Sequence, residues 1–172
     1  EKEIFIDIAN ELGLKNKNGG YNRHPLTFLV EAADDICYTI IDFEDGINLG
    51  LIQEDYALEY LINLVRDSIN TEKYNSLNNT IDRVSYLRAL SINTLINEAV
   101  HIFLENEEDI LKGNFELSLL KKSKFQPQIA DIIKISIEKI YQSKEVIEKE
   151  VAGYNIINKL LDTFITSVNR YH

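Results

Sequence analysis

Apolar residues recur every three or four positions along most of the chain, which is the spacing of one face of an α-helix. The pattern predicts helices over residues 1–12, from Pro25 to about Phe43, over 55–68, from Thr80 to near Gly113, from Pro127 to Tyr141 and over 145–169. The stretches 14–24 and 74–79 are polar and rich in asparagine, so they are predicted to be loops. Because no strand-like alternation is sustained, we predict an all-α helical bundle.

The composition is typical of a single helical domain. Seven glycines and two prolines are few among 172 residues, and helices need long stretches without either. With 28 acidic and 18 basic residues the net charge is −10, so a dominant basic surface is excluded and nucleic acid is not predicted as a partner. The short basic run 121–124 is more consistent with a solvated turn than with a nucleic-acid patch.

The only cysteine, Cys37, cannot form a disulfide within the chain, and we therefore expect a reducing, cytoplasmic location. Its place in the Pro25 helix predicts a small core residue. Charged or amide residues interrupt every apolar stretch before it reaches the roughly 18 residues of a membrane span. No membrane attachment is predicted.

A polar stripe follows one side of the Pro25 helix. With Asp34 as reference and about 100° per residue, Tyr38 lies at about 40° and Asp42 at about 80°, and Glu31 and Asp45 fall on the same side. The opposite side carries the apolar residues that are predicted to enter the core: Leu29, Ile36, Ile40, Phe43 and Ile47. The helix is therefore predicted to expose an acidic face.

This face has no cation of its own. No Lys or Arg occurs between Arg23 and Arg66, and carboxylates four residues apart on a helix repel each other. A solvated surface is the ordinary explanation of an acidic stripe. A metal ion or a ligand rich in hydrogen-bond donors would also relieve the repulsion, and both explanations stay open on charge alone.

A resemblance favours the second explanation. The segment from Arg23 to Tyr38, R-H-P-L-T-F-L-V-E-A-A-D-D-I-C-Y, and its continuation D-F-E-D-G from Asp42 to Gly46 resemble the last metal-ligand segment of the bacterial dGTPase branch of the HD-domain phosphohydrolases. The match covers about 25 residues, and the later helices resemble the same family's C-terminal part more diffusely. The fold implied is the C-terminal part of an HD-domain phosphohydrolase.

The resemblance also implies roles for individual residues. Asp34 would be the last ligand of a divalent metal ion (Mg, Mn or a similar metal), Tyr38 would lie against the deoxyribose, and Asp42 would bind the sugar 3′-hydroxyl. Arg23 is a further candidate for substrate binding. Arg88 resembles a basic position near the substrate phosphates, and a surface salt bridge explains it equally well.

The family's other metal ligands, a His and an adjacent His-Asp pair, have no counterpart here. The histidines are His24, His101 and His172, and none precedes an Asp. One carboxylate cannot hold a transition metal, which ordinarily takes three or more protein ligands. We therefore predict that residues 1–172 are the C-terminal portion of a longer enzyme and are inactive alone, with 1–50 contributing the last metal-ligand helix and 51–172 the C-terminal helices.

The activity implied is hydrolysis of dGTP, or of other deoxynucleoside triphosphates (dNTPs), to deoxynucleoside and inorganic triphosphate. A homo-oligomer is expected, because the later helices carry more apolar surface than a small bundle needs. Two alternatives remain: an HD hydrolase of another phosphorylated substrate, and a non-catalytic helical interaction module whose acidic stripe docks a basic partner.

Overall fold

The computed structural model describes residues 1–170, and these are predominantly helical, which confirms the all-α class. The α-helices are α1 (Lys2–Glu11), α2 (Pro25–Asn48), α3 (Glu54–Val65), α4 (Thr71–Ser76), α5 (Thr80–Glu105), α6 (Glu107–Lys112), α7 (Leu119–Lys122), α8 (Gln126–Ser136) and α9 (Lys144–Arg170). A 3₁₀ turn (Arg66–Ser68) extends α3, and a π-helical turn (Ile137–Tyr141) extends α8. None of the helices in 1–170 combines the length and the apolar character needed to cross a membrane.

Helix α2 lies at the centre of the bundle. It packs against α5, α7, α8 and the π-helical turn, and α3 packs against α5 and α8. The start of α2 is set by Pro25 in its first turn and by the His24 imidazole, whose Nδ1 accepts from the Leu26 N–H at 3.2 Å. Four of the five apolar residues predicted for its inner side are buried, and Leu29 is partly buried against the same core. The predicted orientation of α2 is therefore confirmed.

Four predicted boundaries are wrong. Helix α2 continues past Phe43 and Gly46 and ends at Asn48. The cap of α5 is Asn79 rather than Thr80, because the Asn79 Oδ1 accepts from the Asp82 N–H at 2.8 Å. The same helix ends at Glu105, where the Asn106 amide donates to the Ile102 carbonyl and separates α5 from α6. The predicted loop at 74–79 begins inside α4, which Asn70 caps by accepting from the Lys73 N–H.

The placement of Cys37 in the core is also wrong. Its side chain is exposed on α2 and lines the same surface depression as Asp34. On the helix, Cys37 lies one turn after Ala33, which is also exposed, so this flank of α2 is uncovered at the level of both residues.

Candidate substrate-binding face

The outward side of α2 presents the residues that the resemblance selected. Asp34 and Tyr38 are exposed, Tyr38 by 58%, and Asp42 is half-buried. They follow one another at single-turn intervals of about 6 Å along the helix axis. The side of α2 that faces away from the core therefore carries two carboxylates and an aromatic ring in one row.

A residue that the sequence did not indicate joins this row. The Tyr141 hydroxyl, from the π-helical turn, donates to Asp42 Oδ2 at 2.5 Å. Burial raises the pKa of Tyr141, and the hydrogen bond and the charge of Asp42 raise it further, so the phenol stays protonated and remains a donor. Within residues 1–170, Oδ2 is the Asp42 oxygen that accepts a hydrogen bond, and Oδ1 can accept from another hydroxyl.

Gly46 is the position that lets Tyr141 reach Asp42. A Cβ at Gly46 would lie 2.7 Å from Ile140 Cγ1 and nearer still to Ile140 Cδ1, closer than real atoms approach. The absence of a side chain at this position lets the π-helical turn dock directly on α2. Ile140 is consequently buried, and its neighbour Tyr141 is held over the outward side of α2.

A cleft of about 850 Å³ opens between the two tyrosines, and we call it the Tyr38–Tyr141 cleft. Its wall is formed mainly by α2, α8 and the π-helical turn, and it includes Asp35, Thr39, Leu120, Lys121, Ile129, Ile133, Lys134, Ser136, Ile137 and Gln142. The lining is largely apolar, with two carboxylates (Asp35 and Glu138), two ammonium groups and amides among it. An apolar wall with a few polar groups is the usual character of a small-molecule site.

Asp35 carries an unfavourable charge in this cleft. Partial burial raises the pKa of its carboxyl, and the neighbouring charges of Glu31 and Asp34 raise it further, whereas Lys121 opposes the shift. Asp35 is the clearest instance of the repulsion that the sequence predicts for this helix.

Arg23 is on the same surface of the molecule as Asp34. Both line a shallow depression of about 710 Å³, together with Glu31 and Cys37. The Arg23 guanidinium forms an ion pair with Glu31 and sits 4.1 Å from the centre of the Phe28 ring. Arg23 is therefore paired with Glu31 in the depression that Asp34 also lines.

Arg88 is held elsewhere. Its Nη1 donates to Glu44 Oε2 at 2.9 Å, and Glu44 is buried on the flank of α2 that faces α5. Glu44 points about 160° away from Asp42 around the helix axis. Within residues 1–170 Arg88 thus serves as the counter-ion of a buried carboxylate, and it does not line the Tyr38–Tyr141 cleft.

The residues present do not make a complete metal site. In the described part of the chain, no three His, Cys, Asp or Glu side chains come close enough to hold one ion. Asp34 offers one oxygen ligand where a divalent transition metal needs three or more from the protein.

Comparison with known proteins identifies the family. The chain is 37% identical over 171 residues to a deoxyguanosinetriphosphate triphosphohydrolase-like protein of Synechocystis, a match that covers 98% of the chain. It is 34% identical over 161 residues to the Listeria monocytogenes protein of the same description. The chain belongs to the deoxyguanosinetriphosphate triphosphohydrolase-like family.

The relatives of this family are much longer than the chain. It spans 38% of the Synechocystis protein and 35% of a Yersinia enterocolitica deoxyguanosinetriphosphate triphosphohydrolase, to which it is 28% identical over 180 residues. The matching part is the C-terminal portion of these relatives. No protein-family model matches the chain.

Proposed function

We propose that a protein of the relatives' length containing this chain hydrolyses dGTP, or other dNTPs, to deoxynucleoside and inorganic triphosphate with a divalent metal ion. The observation that carries the proposal is the row Asp34, Tyr38 and Asp42 on the outward side of α2, in a chain whose relatives are named for that activity. Residues 1–50 would supply the last metal-ligand helix and 51–172 the C-terminal helices. The chain by itself would have negligible activity, because it brings one metal ligand.

Each residue of the row would act on a different part of the nucleotide. Asp34 would contribute one carboxylate to the metal site, completed by an upstream His and His-Asp pair, and Arg23 beside it would face the triphosphate. Tyr38 would pack on the deoxyribose and crowd its 2′ edge. Asp42 Oδ1 would accept from the 3′-hydroxyl, while Tyr141 holds Oδ2 and so fixes the plane of the carboxylate.

The proposal is tested with three alanine variants of the complete protein. Asp34→Ala should lower turnover by about 10³-fold or more and release bound metal, because a ligand is lost. Asp42→Ala should raise KM or lower kcat by about 10- to 100-fold while the metal content stays unchanged. Asp45→Ala is the matched control, since Asp45 is exposed on the same helix beyond the row, and it should behave as wild type.

The metal-ligand role of Asp34 and the sugar-binding role of Asp42 are tested separately. Near-normal turnover by Asp34→Ala would show that Asp34 is not a metal ligand. Loss of metal from Asp42→Ala would contradict the sugar role of Asp42. Metal content is measured by elemental analysis of the purified proteins, independently of activity.

A contact between Arg88 and the substrate phosphates is also proposed, and it requires Arg88 to exchange Glu44 for the nucleotide. Arg88→Gln should then raise KM for dGTP. If Arg88 is only the counter-ion of Glu44, the variant should lower stability and leave KM unchanged.

The alternative of a non-catalytic helical module draws support from α9, in which no residue is buried. A His followed by a His-Asp pair in the gene sequence upstream would favour the hydrolase, and a lack of these motifs would favour the module. A cytoplasmic location and self-association stay predictions.

A further inference from the structure

The π-helical turn 137–141 is seated in a notch on α2. The floor of the notch is Gly46, whose carbonyl accepts from the Leu51 N–H at 2.9 Å and from the Ile52 N–H at 3.2 Å, so its backbone is fixed near the end of α2. The Ile52 side chain forms one wall, because its Cδ1 lies 3.2 Å from the Cβ position of Gly46. Ile140 fills the notch and is buried. A core contact therefore fixes the turn on α2.

The hydrogen bonding of the turn sets the direction of Tyr141. The Gln142 N–H donates to the Ile137 carbonyl at 3.1 Å, five residues back rather than the four of an α-helix. Because a π-helical turn holds one more residue than an α-helical one, an α-helical turn of the same sequence would present Ile140 and Tyr141 in other directions. The turn thus places the isoleucine of the notch and the tyrosine of the cleft at adjacent positions.

The Asp42 carboxylate depends on Tyr141 for its orientation. Among the hydrogen bonds of residues 1–170, the one from the Tyr141 hydroxyl, at 2.5 Å, holds this side chain. Its length is that of a charge-assisted O–H···O⁻ bond, which is roughly twice as strong as a bond between neutral groups. The terminal torsion of an aspartate is otherwise broad, so without this bond the carboxylate would turn more freely. With the bond in place, Oδ1 keeps one direction.

We propose that the π-helical turn is a positioning element for recognition of the sugar 3′-hydroxyl: seated at Gly46, it holds Tyr141 so that Asp42 keeps one orientation. The inference rests on the proposed function, since Asp42 is taken to bind the 3′-hydroxyl. Neither Gly46 nor Ile140 lines the Tyr38–Tyr141 cleft, so both are positioning residues that act through Tyr141.

The test uses the complete protein and two nucleotides, dGTP and 2′,3′-dideoxyguanosine triphosphate (ddGTP), which lacks the 3′-hydroxyl. The quantity compared is the ratio of kcat/KM for dGTP to kcat/KM for ddGTP, measured by the release of inorganic triphosphate. A variant that only damages the fold lowers both values and leaves the ratio unchanged. A variant that loses recognition of the 3′-hydroxyl lowers the ratio.

The first variant removes the tyrosine hydroxyl. Tyr141→Phe should lower the ratio by about 3- to 10-fold, mainly through a higher KM for dGTP, because Asp42 is kept but is no longer held. In an Asp42→Ala background the same substitution should have no further effect on the ratio. Tyr56→Phe is the matched control, since it removes the 2.6 Å hydroxyl contact with Tyr60 on α3 and should leave the ratio unchanged.

The second pair of variants tests the notch. Ile140 and Ile135 are 6% and 7% exposed, so Ile140→Val and Ile135→Val remove the same methyl group from two equally buried positions. Both should lower Tm by similar amounts, because each leaves a small cavity. Only Ile140→Val should lower the ratio, by about 2- to 3-fold, since it loosens the seat of the turn.

The contradicting outcomes are distinct. An unchanged ratio in Tyr141→Phe overturns the proposal, and equal ratios in the two isoleucine variants overturn the role of the notch. A wild-type ratio near 1 contradicts the sugar role of Asp42 and the proposal with it. A complete protein that releases no triphosphate from dGTP contradicts the proposed hydrolysis instead.

The contact on which the proposal depends is also tested without turnover, in the 172-residue chain. Carbon-13 NMR at pH 7 follows the Cζ resonances of labelled tyrosines. Asp42→Ala should shift the Tyr141 resonance, because its hydroxyl loses its acceptor, and should leave the Tyr56 resonance in place. A Tyr141 resonance that does not respond to Asp42→Ala would show that the hydroxyl does not bind Asp42, and it would overturn the proposal whatever the activity.

Discussion

Helices α2 and α9 are similar in length, 24 and 27 residues, and both have one apolar and one polar side, yet their surroundings are opposite. Helix α2 buries nine residues in the bundle core and leaves its polar row outside, whereas α9 buries none and exposes its apolar side. Amphipathic spacing therefore predicts that a side will be covered, but it does not say by what. The polar row on the uncovered side of α2 carries the residues of the proposed function.

The largest expected difference between the two helices is in the loss of stability when one isoleucine of each is replaced by alanine. Ile40 of α2 is 1% exposed, and Ile156, on the polar side of α9, is 59% exposed. Ile40→Ala should lower the free energy of unfolding by about 2–5 kcal/mol, because it leaves a cavity in the core. Ile156→Ala should change it by less than about 0.5 kcal/mol. Urea denaturation measures both, and equal losses would show that α9 is packed.

The next largest difference in stability is expected when an ion pair is broken. One pair joins Arg88 of α5 to Glu44 of α2, and the other joins Lys144 to Glu148 within α9. Arg88→Ala leaves the buried Glu44 without its counter-ion and should cost about 1–3 kcal/mol. Lys144→Ala removes the exposed pair with Glu148 at 3.7 Å and should cost less than about 0.5 kcal/mol. Adding Glu44→Gln to Arg88→Ala should restore part of the loss. If the double variant is no more stable than Arg88→Ala, the loss does not come from an uncompensated charge on Glu44.

Glycine-to-alanine substitutions should change the free energy of unfolding in opposite directions in the two helices. Gly46→Ala forces Ile140 to move and should destabilise the chain by about 1–2 kcal/mol. Gly153→Ala meets open space and should stabilise the chain by about 0.5–1 kcal/mol through helix propensity. Thermal unfolding checks the two signs, and a stabilising Gly46→Ala would contradict the close docking of the π-helical turn.

The smallest expected effect is that of the Asp35 charge. Because the folded chain raises the pKa of Asp35 above its ordinary value, the ionised carboxylate opposes folding, and this cost grows as the pH rises. Asp35→Asn should therefore raise Tm at pH 7 by about 2 °C or less, and the gain should shrink towards pH 4. Asp45→Asn, on the exposed side, serves as the control. A gain in Tm that increases towards low pH would contradict the raised pKa of Asp35.

The sequence predicted the positions of the long helices and the inner side of α2, because apolar spacing and Pro25 act locally. It did not predict the end of α5 at Glu105, which depends on the Asn106 amide bonding to a carbonyl within its own helix. Local pattern carries no information about such competition between side chain and backbone.

The candidate site was predicted only as far as α2 itself defines it. The partners of its charges come from elsewhere in the chain: Arg88 pairs with Glu44 and Tyr141 donates to Asp42, over sequence separations of 44 and 99 residues. The acidic segment therefore has fewer unpaired carboxylates than its sequence suggests. Packing decides such contacts, so Tyr141 could not be selected before the fold was known.

The most direct test of the account is the release of inorganic triphosphate by the complete protein from dGTP and from GTP, measured side by side. If the outward side of α2 binds a deoxyribose against Tyr38, triphosphate should be released from dGTP and little from GTP. Equal release from both nucleotides, or release of orthophosphate or pyrophosphate instead, would contradict the proposed site.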